Sequence, residues 1–337
     1  MRGPGAEDAV RVLLSPRLRP WGRYGLHLLV VASCYYAGAR LGLLQALVND
    51  QVTPLWPPTG IALLALLLGG VRMWPGIAIA AFVVNATLGD SGPAFVISAG
   101  NTLGPVVAFL LLKHTGFRLE VDRIRDALAL VFLGAFAGMA VSATVGTGAL
   151  VLNGAVDGMH FWSTWSVWWT GDAMGVLVVV PIVLALRNRA EWPTTFYRWL
   201  ELAGLLVATA GATLVFTTVP VRMTFIVFPF LIWAALRFQH VGSAPCSFLT
   251  AVIAARGAAE GTGVFSGDLD LLGKMVTLQA FNGTVALTTL VLSAVITERN
   301  AARRAIERTC AQLADVVAQY EPLLMGDNRP PDPRDPR

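Results

Sequence analysis

The sequence predicts an all-α fold, a polytopic bundle of about ten membrane-spanning helices with both ends in the cytoplasm. Three observations carry that expectation. Hydrophobic residues fill 55% of the 337 positions and charged residues only 14%, where a soluble domain carries about 25% charge. Mean hydropathy is +0.63. The arginines and lysines gather at alternate ends of successive apolar runs, the pattern that orients membrane helices. That alternation also accounts for the net charge of +4. The basic residues flank apolar runs and form no single patch, so membrane lipids and not nucleic acid are the expected surroundings.

Taken in order, residues 1–23 hold five arginines and no continuous apolar core, and read as a cytoplasmic lead-in to a retained helix, not a cleaved signal peptide. The first span is expected over 24–48, with Arg40 inside it. After a loop, Pro57-Pro58 opens a short second span to about 70. Val71-Arg72-Met73-Trp74-Pro75 turns the chain, and a third short span runs to about 89. Pro58 suits a first helical turn, where its missing N–H would be unpaired anyway. The fourth span ends at Lys113, the fifth covers 127–152, and a Trp-rich sixth ends near Leu186. The seventh is expected over 199–219, the eighth over 223–236, the ninth over 241–259 and the tenth over 271–297. The second, third and eighth are below the ~30 Å of hydrocarbon, so they must sit among protein neighbours or line a cavity.

Charge tests the count of ten. The segments before span one and after spans two, four, six, eight and ten carry Arg2, Arg11, Arg17, Arg19, Arg23, Arg72, Lys113, Arg118, Arg123, Arg125, Arg187, Arg189, Arg198, Arg237, Arg299, Arg303, Arg304 and Arg308. The opposite loops hold Arg222 and Arg256, with Lys274 at a helix start, beside six carboxylates. A bacterial cytoplasmic membrane with both termini inside is the expected setting.

The stretch from Trp165 to Gly175 in the sixth span organises the rest. Asp172 falls roughly 15 Å below the outer end of its helix, near the midplane. A carboxylate there needs a partner or a wet cavity, and marks a site by default. Gly171 and Gly175 form a small-xxx-small pair that admits another backbone. Arg40, roughly 12 Å below the outer end of its own helix, matches that depth and is the expected partner. Trp56 and Trp169, with Trp233 from the inner half, would join Asp172 in an apolar pocket with few polar fixtures, the common small-ligand arrangement. Alternatively all three tryptophans are interface or packing residues.

No enzyme is expected. Thr144-Val145-Gly146-Thr147-Gly148 lies inside one continuous apolar run, which suits helix packing better than an ion filter. His27, His114, His160 and His240 are scattered, so no metal is expected, and nothing calls for a cofactor. Cys34, Cys246 and Cys310 give no disulfide framework.

Several stretches together resemble a family. They are Leu55-Trp56-Pro57-Pro58-Thr59-Gly60, Gly69-Gly70-Val71-Arg72-Met73-Trp74-Pro75-Gly76, Gly100-Asn101-Thr102-Leu103, Ser142-Ala143-Thr144-Val145-Gly146, Trp168–Leu177 with Pro181, Pro229–Phe238 and Glu298-Arg299. In this order and spacing the chain, over about 24–300, resembles the bacterial membrane-associated sensor domain of the first MASE type. The resemblance implies an integral membrane sensory module, usually fused to a kinase, cyclase or PAS-containing output. It makes Trp56, Trp169, Asp172, Trp233 and Arg237 candidates without assigning them roles.

Beyond Thr297 only forty residues remain, too few for such an output domain. Residues 298–322 read as a cytoplasmic signalling helix and 323–337 as a disordered tail. Ile306, Cys310, Leu313, Val317 and Tyr320 follow heptad spacing, a seam suited to a homodimer or to a separate kinase- or cyclase-type partner. The expected function is therefore a membrane receptor that detects an unknown small molecule or membrane stimulus and relays it. The alternative is a small-solute transporter or transporter subunit, which short Pro/Gly-broken helices, midplane charge and the repeated Val71-Arg72-Met73 and Val221-Arg222-Met223 would suit. A structural scaffold without a ligand is the third possibility.

Overall fold

Apolar runs too long for strands become helices throughout a computed structural model that describes residues 19–44, 53–88, 91–188, 192–219, 223–267 and 269–325. The helices are α1 (Arg19–Leu43), α2 (Pro57–Gly69), α3 (Trp74–Ala86) and α4 (Ser91–His114). After these come α5 (Ile124–Leu152), α6 (Phe161–Arg187), α7 (Phe196–Thr218), α8 (Phe228–Glu260) and α9 (Leu271–Met325). No strand occurs among the described residues. Among the described residues, seven helices are long and apolar enough to cross a membrane. The 13-residue α2 and α3 fall short of that length. Residues 1–18, the repeated Val221-Arg222 and the tail beyond 325 lie outside the described residues.

The expected eighth and ninth spans are two limbs of α8. Gln239 breaks it, with φ 47° and ψ −134°, a conformation that disfavours any side chain. The second limb then folds back on the first. A Cβ on Gly242 would stand 3.2 Å from the carbonyl oxygen of Ala234, although eight residues of straight helix span about 12 Å. The missing side chain permits that fold. His240 secures it, its Nε2 lying 3.1 Å from the carbonyl of Val121 in the α4–α5 loop.

Helix α6 is the hub. It packs against α2, α5, α8 and α9, and 72% of its most apolar window is buried, against 22% for α1. Around it the seams carry single polar clasps. Ser142 donates to Asn101 between α5 and α4 at 3.1 Å, Thr213 meets Thr250 between α7 and α8 at 3.4 Å, and Ser243 meets Ser293 between α8 and α9 at 2.9 Å. Apolar packing alone does not select neighbours when the solvent is as apolar as leucine, so such clasps help specify which helices pair. Outward faces are correspondingly apolar, with Leu29, Ile79, Phe95 and Val207 exposed.

Candidate functional site

Two neighbouring regions on α6 emerge, and the sequence merged them into one. The first surrounds Asp172, which is only 1% exposed. The Thr59 hydroxyl donates to its Oδ1 at 2.5 Å from the first turn of α2. Ser142 of α5 and Trp168 of α6 are further polar neighbours. Tyr35 of α1, fully buried, faces the same carboxylate beside Trp56 and Asn101, and its hydroxyl completes no hydrogen bond. Asp172 Oδ2 likewise has no partner. Five helices thus send polar groups to one buried point.

Glycine makes that convergence possible. The extended chain before α2 runs against α6, and the Trp56 N–H donates to the Gly171 carbonyl at 2.9 Å. A Cβ on Gly171 would meet the Thr53 carbonyl oxygen, one on Gly175 that of Trp56, and one on Gly60 that of Gly175. The small-xxx-small pair does admit a backbone, and that backbone carries Thr59 to the carboxylate.

Arg40 does not. The expected Arg40–Asp172 pair is absent, because Arg40 is exposed and no carboxylate lies within ion-pair distance of it among the described residues. The cause is azimuth. Tyr35, Gly38 and Ala39 face inward, and at about 100° per residue this turns Arg40 outward. Matched depth fixes height and leaves rotation open.

The second region takes Trp169. Its ring stacks on Trp165 with centroids 5.5 Å apart and an interplanar angle of 17°. Its Nε1 donates to the Phe136 carbonyl at 2.9 Å, within the π-helical stretch Leu130–Ala137 of α5, where the widened turn disturbs ordinary i→i−4 bonding. Beside this stack, Trp162, Trp165, Ser166 and Trp169 of α6 face Leu272, Met275, Val276 and Gln279 of α9 across an open-sided cavity of about 240 Å³. Gln279 is buried, and neither atom of its amide has a partner. An unpaired amide in an aromatic cleft is a ready fixture for a ligand.

A larger groove of about 650 Å³ between α3 and α4 has no such fixture. Its two hydroxyls, Ser98 and Thr102, donate to carbonyls of their own helix, which leaves an apolar face of the kind lipid covers.

The remaining candidates stand apart. Trp233 is 53% exposed on α8 and is not among the residues lining the aromatic cavity. Arg237 donates through Nε to both oxygens of Glu201, each at 3.1 Å. Ile306, Leu313 and Val317 are exposed on α9, an uncovered seam.

Sequence reasoning missed Tyr35, Thr59, Asn101, Ser142 and Gln279 as site residues. Thr59, Asn101 and Ser142 sat in the stretches quoted above, each a polar residue in an apolar run, and that was their signal. The profile described as MASE1 matches residues 27–300 of the chain. No curated protein and no solved structure matches it.

Proposed function

Because the chain belongs to the MASE1 family of membrane sensory domains, we propose that it detects a small, mainly apolar molecule between the Trp165–Trp169 stack and Gln279, and relays binding along α9. The observation that carries this reading is α9 itself. One helix, Leu271–Met325, supplies a wall of the cavity near its start and an exposed apolar seam near its end. At 1.5 Å per residue its 55 residues reach about 80 Å.

A ligand that spreads the α6–α9 gap must move α9, because the opposite wall belongs to the buried hub helix. The Asp172 cluster serves that motion by holding α1, α2, α4 and α5 to α6. A stiff helix then carries a small shift or rotation past residue 297. A second copy, or a separate kinase- or cyclase-type protein, reads the movement at Ile306, Leu313 and Val317.

In this reading α2, α3 and both limbs of α8 cross or partly cross the bilayer with the other six long helices. Ten passages then place both termini in the cytoplasm of a bacterial cell, with the cavity mouth toward the outer side. The family assignment sets this sensor ahead of the small-solute transporter.

A thermal-shift screen in detergent with indole, phenol and naphthol tests the cavity. These are small aromatics with one hydrogen-bonding group. A stabilising compound is expected to lose most of its effect against Gln279→Leu and against Val276→Trp. Equal stabilisation of all three proteins would place the binding site elsewhere.

A further inference from the structure

Where α9 leaves the helix bundle, a second cavity of about 340 Å³ lies against it, with a chemistry opposite to the aromatic one. Arg198 from α7, Arg237 from α8 and Arg304 from α9 line it together. Glu201 balances Arg237. Arg198 and Arg304 have no carboxylate within ion-pair distance among the described residues, and Arg304 spends only its Nε, on the Asn300 carbonyl at 3.2 Å. Two buried atoms in the lining residues also go unpaired, Nε1 of Trp192 and Oγ1 of Thr297. Gln239, with its disfavoured backbone, forms part of the wall, and strain of that kind persists where the surroundings hold it in place.

Two guanidinium groups without a carboxylate partner, an indole N–H and a hydroxyl line one cavity, beside only the neutral polar side chains of Asn188, Thr194, Gln239 and Asn300, and make a cationic, donor-rich set. We infer that this pocket binds a phosphate-bearing anion, which ties α9 to α7 and to the bend of α8 and so sets the resting position of the output helix. Guanidinium forks match phosphate oxygens in geometry as well as charge. The phosphate comes either from an anionic lipid headgroup or from a soluble ion. The inference depends on the proposed topology only for the side of the membrane, and it stands or falls independently of the aromatic cavity.

Binding of two probes to the full chain in phosphatidylcholine nanodiscs tests it: inorganic pyrophosphate and short-chain dihexanoyl phosphatidic acid. The pocket variant Arg198→Gln/Arg304→Gln is compared with Arg303→Gln/Arg308→Gln, which removes the same charge from α9 outside the pocket. Thr297→Val is a milder pocket change that keeps the shape of the side chain. At least one probe is expected to bind, about tenfold more weakly to the pocket variant, severalfold more weakly to Thr297→Val, and within twofold of the parent for the control. Binding of the lipid probe alone identifies a headgroup as the source, and binding of pyrophosphate a soluble anion. No binding of either probe, or equal weakening by the pocket and control variants, overturns the inference.

Discussion

The hydroxyl of Thr59 reaches Asp172 across the α2–α6 seam, 113 residues apart in sequence, and satisfies one carboxyl oxygen of a fully buried acidic residue on the hub helix. The same contact fixes α2, a helix too short to cross a bilayer by itself, against the hub. Thr59→Val keeps the shape and removes the donor, leaving a buried acceptor unpaired. It should lower stability by roughly 1–2 kcal/mol. Asp172→Asn in the same background should cost less than it does alone, since the two residues share one interaction. Arg40→Leu, on an exposed side chain, should change stability by less than about 0.5 kcal/mol and add simply to Asp172→Leu. Unfolding of the purified protein in mixed micelles measures all three.

The approach of the chain before α2 to α6 depends on three glycines, and the cost of closing that approach should be large. A methyl at Gly171 or Gly175 would collide with a backbone carbonyl oxygen that no side-chain rotation relieves. Gly171→Ala and Gly175→Ala should each destabilise by about 3 kcal/mol, the upper range for overpacking. Gly211 on α7 faces open space. Gly211→Ala should be neutral or stabilise by up to about 1 kcal/mol, as helix propensity alone dictates. Comparable losses at all three positions would mean that backbone contact is not what the glycines provide.

Much of this was legible in the sequence, and the divisions are physical. Helix positions follow from runs of apolar residues, which need no tertiary information. The role of Gly171 and Gly175 was legible because only small residues permit helix backbones to touch. The Arg40–Asp172 pair failed because depth along a helix can be counted and rotation about its axis cannot. Trp169 was grouped with Asp172 because residues three positions apart on a helix lie on nearly one face. The π-helical stretch of α5, invisible to periodicity, captures its ring through the Phe136 carbonyl instead. Gln279 escaped notice because a single amide in an apolar run looks the same whether its partners exist or not.

Topology has a direct test in a background where Cys34, Cys246 and Cys310 are replaced. Cysteine placed at the exposed Gly158 should react with an impermeant maleimide in whole cells. Cysteine at the exposed Glu120 should react only after the membrane is opened. The reversed pattern would invert the orientation proposed here.

The seam on the far half of α9 predicts a separation of effects. Leu313→Glu/Val317→Glu changes two side chains that are 63% and 59% exposed, so the melting of the membrane bundle should move by less than about 0.5 kcal/mol. Disulfide or bismaleimide crosslinking in cells through the native Cys310 should be efficient in the parent and should disappear in this variant. Crosslinks that persist with both glutamates in place would show that the apolar seam is not the contact.

The relay along α9 is tested most directly by the distance between spin labels at positions 120 and 306, measured by pulsed electron resonance in nanodiscs. Val276→Trp fills the aromatic cavity and stands in for a ligand. Val295→Trp adds the same bulk to α9 at a position that does not line that cavity. Val276→Trp should shift the distance by on the order of 1–2 Å, the usual scale of helix shifts in switching proteins. Val295→Trp should leave it in place, and Arg299→Pro, which breaks the helix between cavity and label, should abolish the shift. Identical distance distributions for the parent and Val276→Trp would contradict the relay.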